Sequence, residues 1–238
     1  MNEKVFTFWE GKMPGYIRAC LDTWKVPYIL LDFDTVNDYT FLPIDRLKRF
    51  TLPQIADCVR VHVLRDNGGY WLDADTIMIT DDLPDAMILG DPEKRTNTIG
   101  MLHSATPNSE MLGEWARFQD EIIQRNSVSR YWALMGNDFT DSYLWEHDEI
   151  RIGRIDNYWP ETYMIPGNES RMNKYKKFYF RESHHLADIR DTDMLMLHNS
   201  WTPKWYKNLS AKSVLAGSCT LSNILREIKG GAANGTAD

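Results

Sequence analysis

A helix, a tight turn and a strand follow one another in QIADCVRVHVLRDNGGYWLDAD, residues 54–75. Apolar residues step by four from Ile55 to Val63, which predicts a helix from Thr51 to about Asn67. Gly68 is the residue type that commonly ends a helix. The aromatic run Tyr70–Leu72 then predicts a buried strand, and the acidic segment Asp73-Ala74-Asp75 follows it directly.

The same alternation precedes this segment. Val5–Trp9 and Tyr28–Leu31 are typical of strands, and between them Ile17, Leu21 and Trp24 recur at helical spacing. Strands alternating with helices predict an α/β fold with a mainly parallel central sheet. Ligands of such sheets bind at the carboxyl ends of the strands. The candidate residues at these ends are Trp9, Asp32, Asp73 and Asp75.

Later elements are predicted from shorter patterns. They are strands at 98–103 and 194–197, and helices at 108–125, 141–146 and 213–228. We interpret residues 1–229 as one domain, with 1–80 as the nucleotide-sugar-binding half and 81–229 as the acceptor half and closing loop. Residues 230–238, GGAANGTAD, are predicted to form a disordered tail.

Composition excludes several classes of protein. The 238 residues are 43% hydrophobic and 26% charged, as in ordinary globular proteins, which excludes general disorder. The net charge of −7 makes the chain a poor candidate for wrapping nucleic acid, because that binding needs clustered cations. Nine tryptophans indicate stacking surfaces as well as core.

Cysteine usage and hydropathy predict a location. Cys20, Cys58 and Cys219 are odd in number and lack CxxC spacing, so we expect a reducing compartment. The sequence contains no signal-peptide pattern and no apolar run of about 18 residues. We therefore expect a cytoplasmic protein, either soluble or peripheral on the inner face of the membrane.

Asp73 and Asp75 form the sharpest chemical feature. A turn that brought both carboxylates into one cleft would need a cation to offset their charges. Oxygen ligands of this kind suit Mg²⁺ or Mn²⁺, which also bind substrate phosphates. The alternative is an exposed acidic loop. The position directly after a helix, a Gly-Gly turn and an aromatic strand favours the metal site.

Three further segments carry candidate residues. Asp57 and Arg60 lie three apart on one helix face, as part of a site or as a surface ion pair. Trp9 could stack on a nucleobase or belong to the core. The segment 198–201, HNSW, offers polar ligands beside an indole, although a single histidine is usually structural. Motifs of dinucleotide-binding proteins, P-loop enzymes, zinc proteases and serine hydrolases are absent from the sequence.

Together these segments resemble the DXD glycosyltransferases of the capsular polysaccharide synthesis type. That group is related to the yeast-type initiating mannosyltransferases and the clostridial glucosylating toxins. The resemblance rests on FWEGKMPGYIRACLDTW near the start, on residues 54–75 and on HNSW near the end. One departure is Trp71, where many relatives have tyrosine. The resemblance covers residues 1–80 well and implies a GT-A fold, a nucleotide-sugar donor and a divalent cation.

The resemblance also implies roles for individual residues. Asp73, Asp75 and Arg60 are expected to act in catalysis. The donor is expected to contact Trp9, Asp57, Arg60, Trp71, Asp73, Ser200 and Trp201, and we add Asp32 from its place at a strand end. Metal ligands are expected among Asp75, Asp73, His198, Asn199 and Ser200, with Asp75 the firmest.

The implied activity is metal-dependent, retaining transfer of a hexose or N-acetylhexosamine, with Mn²⁺ or Mg²⁺ as cofactor. A UDP-sugar is the expected donor, and a glycan of a bacterial surface polysaccharide, linked to polyprenyl diphosphate, is the expected acceptor. Asp138 and its neighbours are candidates for acceptor contact. The alternatives are an effector-like protein glycosyltransferase, a non-catalytic carbohydrate-binding protein and a nucleotidyltransferase.

Residues 171–181, RMNKYKKFYFR, contrast with the acidic chain because they contain five cations and four aromatic residues. Such a strip is expected either to contact anionic lipid headgroups as a peripheral membrane site or to form a solvated edge strand protected by lysines.

Overall fold

The computed structural model describes residues 3–125, 129, 131–154, 169–189 and 192–234. The chain divides into two compact units. The first unit comprises Met1–Gly11, Pro27–Asp73 and Pro84–Ile155, and the second comprises Lys12–Val26, Ala74–Leu83 and Asp156–Asp238. This division differs from the predicted halves 1–80 and 81–229, and a single GT-A domain over 1–229 stays a prediction.

The strands of the described residues are β1 (Val5–Phe8), β2 (Tyr28–Leu31), β3 (Gly69–Leu72), β4 (Thr76–Met78), β5 (Ile88–Asp91), β6 (Thr96–Ser104), β7 (Ile152–Arg154) and β8 (Met194–Met196). The helices are α1 (Gly15–Leu21), α2 (Ile44–Leu47), α3 (Leu52–Asn67), α4 (Glu110–Gln124), α5 (Asn137–Tyr143), α6 (Arg171–Phe180), α7 (Lys204–Lys207), α8 (Ala211–Ala216) and α9 (Thr220–Asn234). Short 3₁₀ turns cover Val36–Asp38, Leu144–Glu146, Leu186–Asp188 and Asn199–Trp201.

The first unit contains a six-stranded sheet in the order β2-β1-β3-β6-β5-β7. The pairs β1–β2, β1–β3 and β5–β7 are parallel, whereas β6 is antiparallel to both β3 and β5. Helices α3 and α4 pack with this sheet around the main hydrophobic core. The predicted α/β class with a mainly parallel central sheet is confirmed, and the arrangement is consistent with a GT-A-like fold.

A capping box fixes the start of helix α3, and two glycines with positive φ fix its end. Thr51 precedes its first turn, and the Thr51 backbone N–H donates to Gln54 Oε1 at 3.0 Å, as in a capping box. The helix ends at Gly68, whose φ is 67°. Gly69 has a φ of 90°, and a Cβ there would overlap the carbonyl oxygen of Lys4. The two glycines therefore allow the chain to turn sharply and β3 to pair closely beside β1.

The second unit contains the two-stranded antiparallel sheet β4–β8 with helices α1 and α6–α9. The Trp24 indole donates to the Thr76 carbonyl at 2.8 Å, which ties the end of α1 to β4. A Cβ on Gly15 would overlap the backbone of residues 209–211, so glycine is required where α1 meets α8.

Several predicted elements are confirmed, and others differ. The strands at 98–103 and 194–197 and the helix at 108–125 correspond to β6, β8 and α4. The helix predicted at 141–146 begins earlier, as α5. The helix predicted at 213–228 is interrupted at Gly217, which separates α8 from α9. Helix α9 extends through Asn234 into the segment predicted as a tail, and residues 235–238 lie outside the described residues.

The edge strand considered for residues 171–181 is wrong, because Arg171–Phe180 form helix α6. Ser170 caps this helix by accepting a hydrogen bond from the Asn173 backbone N–H. Tyr175, Phe178 and Tyr179 are buried along one side, at the i, i+3, i+4 spacing of a helix. Within the described ranges, no helix combines the length and apolar content needed to cross a membrane.

Candidate active site

Three predicted site residues lie at one edge of the first unit's sheet. Strands β2, β1 and β3 are neighbouring and parallel, so the residues that follow them emerge on the same side. These residues are Asp32, Trp9 and Asp73. The predicted convergence at the carboxyl ends of the strands is therefore confirmed for these three residues.

Trp9 and Asp32 are adjacent at this edge. The Trp9 backbone N–H donates to the Leu31 carbonyl at 2.9 Å, and the residue is half-buried. Its buried indole Nε1 has no hydrogen-bond partner among the described residues. Asp32 Oδ1 accepts from the Thr35 hydroxyl at 2.7 Å and from two backbone N–H groups, and these bonds, led by that hydroxyl, lower its pKa. One oxygen of Asp32 is thus engaged in its own loop.

Asp57 and Arg60 are buried next to Asp73. Arg60 Nη2 lies 2.9 Å from Asp57 Oδ1 and 3.0 Å from Asp73 Oδ1. Arg60 also donates through Nη1 to the Ile99 carbonyl, and it is only 3% exposed. A cation this deeply buried is stable only when it is paired and hydrogen-bonded, so the pair is not the surface ion pair considered as an alternative.

Trp71 completes this cluster. The Arg60 guanidinium lies 5.3 Å from the Trp71 ring centroid, and the Trp71 indole donates to Asp73 Oδ1 at 2.9 Å. Asp73 Oδ1 therefore has two donors, whereas Oδ2 has no partner among the described residues. The Asp73 side chain is 34% exposed. The cluster thus presents one oriented carboxylate oxygen at the sheet edge.

Burial raises the pKa of Asp57 to about 7. Arg60 opposes this pKa shift and Asp73 reinforces it. A Cβ on Gly136 would lie 2.9 Å from Asp57 Oδ2, so the segment before α5 covers this carboxylate. The Gln119 side chain joins the same region by donating to the backbone carbonyls of Asp57 and Met135.

The second unit brings Asp75 together with the predicted HNSW loop. Asp75 Oδ2 accepts from the Asn199 backbone N–H at 2.7 Å, and the Asp75 carbonyl accepts from the Leu197 N–H at 3.1 Å. Asp75 is 8% exposed. Lys207 is partly buried, which lowers its pKa, and the charge of Asp75 opposes that shift. Asp75 therefore anchors the loop that follows β8.

Aromatic residues hold this loop in place. Tyr16 donates its hydroxyl hydrogen to Asn199 Oδ1 at 2.5 Å, and the Tyr175 hydroxyl accepts from the His198 N–H at 3.2 Å. The His198 and Trp201 rings lie 4.0 Å apart between centroids, and burial lowers the pKa of His198 to about 4. Ser200 is exposed at the turn. The loop thus presents Ser200 and part of Trp201 with His198 neutral at physiological pH.

The sequence model of one family, described as capsular polysaccharide synthesis protein, matches residues 1–201. The chain belongs to this family. No curated protein matches the chain. The family is consistent with a glycosyltransferase-like role in capsular polysaccharide synthesis.

In the second unit, the side chains around the HNSW loop carry oxygen atoms, the type of ligand that a divalent cation such as Mg²⁺ or Mn²⁺ prefers. Over the residues that the structure describes, no three His, Cys, Asp or Glu side chains cluster as a complete metal site. Mg²⁺ and Mn²⁺ need no such cluster, because one or two carboxylates and the substrate phosphates suffice. Asp75 supplies a carboxylate beside the oxygen-bearing Asn199 and Ser200. The assignment of Asp75, Asn199, Ser200, Asp73 and His198 as metal ligands stays a prediction.

Sequence reasoning missed several residues that position the predicted ones. Tyr16 and Tyr175 fix the HNSW loop, while Gln119 binds the Asp57 backbone carbonyl and Gly136 packs on the Asp57 carboxylate. Tyr16 lies in the segment FWEGKMPGYIRACLDTW, on which the family resemblance partly rests. That resemblance is the sequence signal that could have indicated the role of Tyr16. Its partner Asn199 is 183 residues away, so no local pattern connects the two.

Proposed function

We propose that this protein is a metal-dependent, retaining glycosyltransferase of capsular polysaccharide synthesis. It transfers a hexose or N-acetylhexosamine from a UDP-sugar to a glycan acceptor linked to polyprenyl diphosphate. The observation that carries the proposal is the buried Arg60 between Asp57 and Asp73 at the carboxyl ends of the parallel strands β2, β1 and β3. Such a costly charge cluster is typical of functional sites, and the family membership gives it a chemistry.

The cluster prepares a carboxylate for the donor. Arg60 and Trp71 hold Asp73 Oδ1, so its Oδ2 can accept a hydroxyl of the donor sugar or ribose without losing rotational freedom on binding. Most of the Arg60 donors are engaged by protein groups, so we assign Arg60 the role of positioning Asp73 and offsetting its charge. Trp9, at the same edge, offers a ring face for the donor base.

Asp75, with Asn199 and Ser200, would hold Mn²⁺ or Mg²⁺. When bound, the cation would stabilise the negative charge that develops on the departing diphosphate. The protein's own contribution is the anchored loop, since Asp75 fixes Asn199 and thereby orients Ser200 and Trp201. We assign no nucleophile among these residues.

Peripheral contact with an anionic membrane through residues 171–181 is a further part of the proposal. Helix α6 buries its aromatic residues and keeps its cations at the ends and partly exposed side. Each lysine or arginine near such a surface contributes about 1 kcal/mol. Co-sedimentation with anionic vesicles, compared with neutral ones, tests this contact.

Thermal unfolding with UDP-, GDP-, CMP- and dTDP-sugars, each with and without Mn²⁺, tests the donor and the metal. A UDP-sugar at about 100 times its Kd should stabilise the fold by about 2.7 kcal/mol, which raises the Tm by about 5–10 °C. We expect Asp75→Asn to remove the Mn²⁺-dependent part, because asparagine keeps an acceptor for the Asn199 N–H but loses the charge.

Asp22→Asn is the matched control, since Asp22 lies in the same unit and pairs with Lys229 at 2.6 Å. It should leave the Mn²⁺-dependent shift unchanged. An undiminished Mn²⁺-dependent shift in the Asp75 variant would contradict the metal site. Stabilisation by free glycans and by no nucleotide-sugar would identify a carbohydrate-binding protein instead.

A further inference from the structure

Two large aromatic side chains lie exposed on the first unit. Tyr131 is 52% and Trp132 is 66% exposed, and their rings meet edge-on with centroids 6.3 Å apart. Adjacent exposed aromatic rings leave apolar surface in water, and such surface commonly marks a binding site. Neither residue takes part in the donor cluster described above.

The backbone beneath these rings is fixed by buried side chains. Gln54, fully buried, donates to the carbonyls of Ser129 and Tyr131 at 3.0 and 2.9 Å. Trp115, also fully buried, donates to the Met135 carbonyl at 3.0 Å. These hydrogen bonds hold the backbone on both sides of Trp132, so a ligand that binds the rings would order little of the backbone.

The same segment is continuous with the donor cluster. Gly136 packs on the Asp57 carboxylate, which is paired with Arg60. Gly136 is four residues from Trp132, so the two Cα atoms are at most about 14 Å apart. Burial raises the pKa of Asp138 and the Tyr131 side chain opposes this shift, so the Asp138 carboxyl group lies close to the exposed rings.

We propose that Tyr131, Trp132 and Asp138 bind the acceptor glycan, the two rings against sugar faces and the carboxylate on sugar hydroxyls. This inference rests on the proposed glycosyltransferase function. Residues 131–148 contain four acidic residues and no lysine or arginine, which disfavours an anionic membrane as the occupant. A neutral, hydroxyl-rich sugar matches rings flanked by hydrogen-bond acceptors.

The test uses an immobilised array of bacterial surface oligosaccharides. Trp132→Ala should weaken binding to the glycans that the unmodified protein recognises by about 10- to 100-fold, the loss expected for one ring that buries part of its surface. Phe41→Ala is the matched control, because Phe41 is 82% exposed in the same unit. Phe41 is also far from the proposed site. Its neighbour Thr40 contacts Asp66, which lies twelve residues, or about 18 Å, along α3 from Gln54. The Phe41→Ala variant should therefore leave glycan binding unchanged.

The Mn²⁺-dependent Tm shift with a UDP-sugar separates this inference from the proposed function. We expect Trp132→Ala to keep that shift while losing glycan binding, whereas a protein without any donor shift contradicts the proposed function itself. Equal glycan binding by the unmodified protein and the Trp132 variant, or no binding by either, overturns the acceptor site. If Trp132→Ala still binds glycans but no longer co-sediments with anionic vesicles, the rings bind a membrane instead. If it still binds glycans but no longer self-associates in sedimentation velocity, the rings bind a second copy of the chain.

Discussion

Replacing Arg60 with methionine removes the cation that pairs with both Asp57 and Asp73. Methionine keeps most of the apolar stem but leaves the buried Asp57 without its partner at 2.9 Å. The contact with the Trp71 ring is lost as well. Breaking a buried pair by removing one partner costs about 3–5 kcal/mol of unfolding free energy at a pH where the remaining carboxyl group is ionised in the intact pair.

The cost should depend on pH through Asp57. Burial raises the pKa of Asp57 from 3.8 to about 7, so its contribution to stability is largest below 3.8 and falls as the pH rises through 7. Without Arg60 its pKa rises further, and the carboxyl group stays protonated at a pH where the unmodified protein ionises it. Between pH 7 and pH 8.5 this difference adds up to about 2 kcal/mol to the cost. We therefore expect a loss of about 1–3 kcal/mol at pH 5.5 and about 3–5 kcal/mol at pH 8.5.

Urea unfolding at the two pH values measures this difference. The matched control is Arg117→Met, because Arg117 and Glu114 form another i,i+3 pair, at 3.4 Å, in which the Arg117 side chain is 74% exposed. That change should cost less than about 0.5 kcal/mol at either pH. A loss below 1 kcal/mol for Arg60→Met at pH 8.5, or an equal loss at both pH values, would refute the reasoning about the buried cluster.

Two further substitutions test the packing and the titration of the same unit. Gly136→Ala should lower the free energy of unfolding in urea by about 1–3 kcal/mol, because its Cβ would crowd Asp57. Gly113→Ala, in open space within α4, is the control and should raise this free energy by about 0.5–1 kcal/mol. Equal effects of the two changes would contradict the contact between Gly136 and Asp57. Burial lowers the pKa of His62 from 6.5 to about 4, so its contribution to stability is complete above 6.5 and is lost as the pH falls to 4. The loss of unfolding free energy between pH 7 and pH 4, measured by urea unfolding, should be about 3 kcal/mol smaller in His62→Leu than in the unmodified protein. An equal loss in both proteins would show that other groups cause the pH dependence.

Much of the fold could be predicted because its signals are local. Apolar spacing and the Gly-Gly turn located α3 and β3, and the alternation of elements indicated parallel strands. The parallel pairing then placed Trp9, Asp32 and Asp73 at one edge without any knowledge of distant contacts.

Two errors show where local signals fail. Residues 171–181 contain aromatic residues and lysines, which suit both an edge strand and a helix, and the Ser170 cap with the burial of Tyr175 and Phe178 decides for the helix. The last predicted helix ran through Gly217, whereas α8 ends at Ala216 and α9 begins at Thr220. A Cβ on Gly217 would overlap the Ser222 side chain, a constraint that arises only once α8 and α9 pack together.

The amino-acid order alone established the class of fold and the family, and it identified Asp57 and Arg60 as neighbours because a helix places residues three apart on one face. The environment of those residues depends on the tertiary structure. In the folded chain Arg60 is buried with Asp73 as a second partner, and Gly136 packs on the Asp57 carboxylate. The hydrogen bond from Tyr16 to Asn199 likewise joins residues that are 183 positions apart. Burial and long-range contacts depend on how all the elements pack together, and for that reason no short pattern in the sequence encodes them.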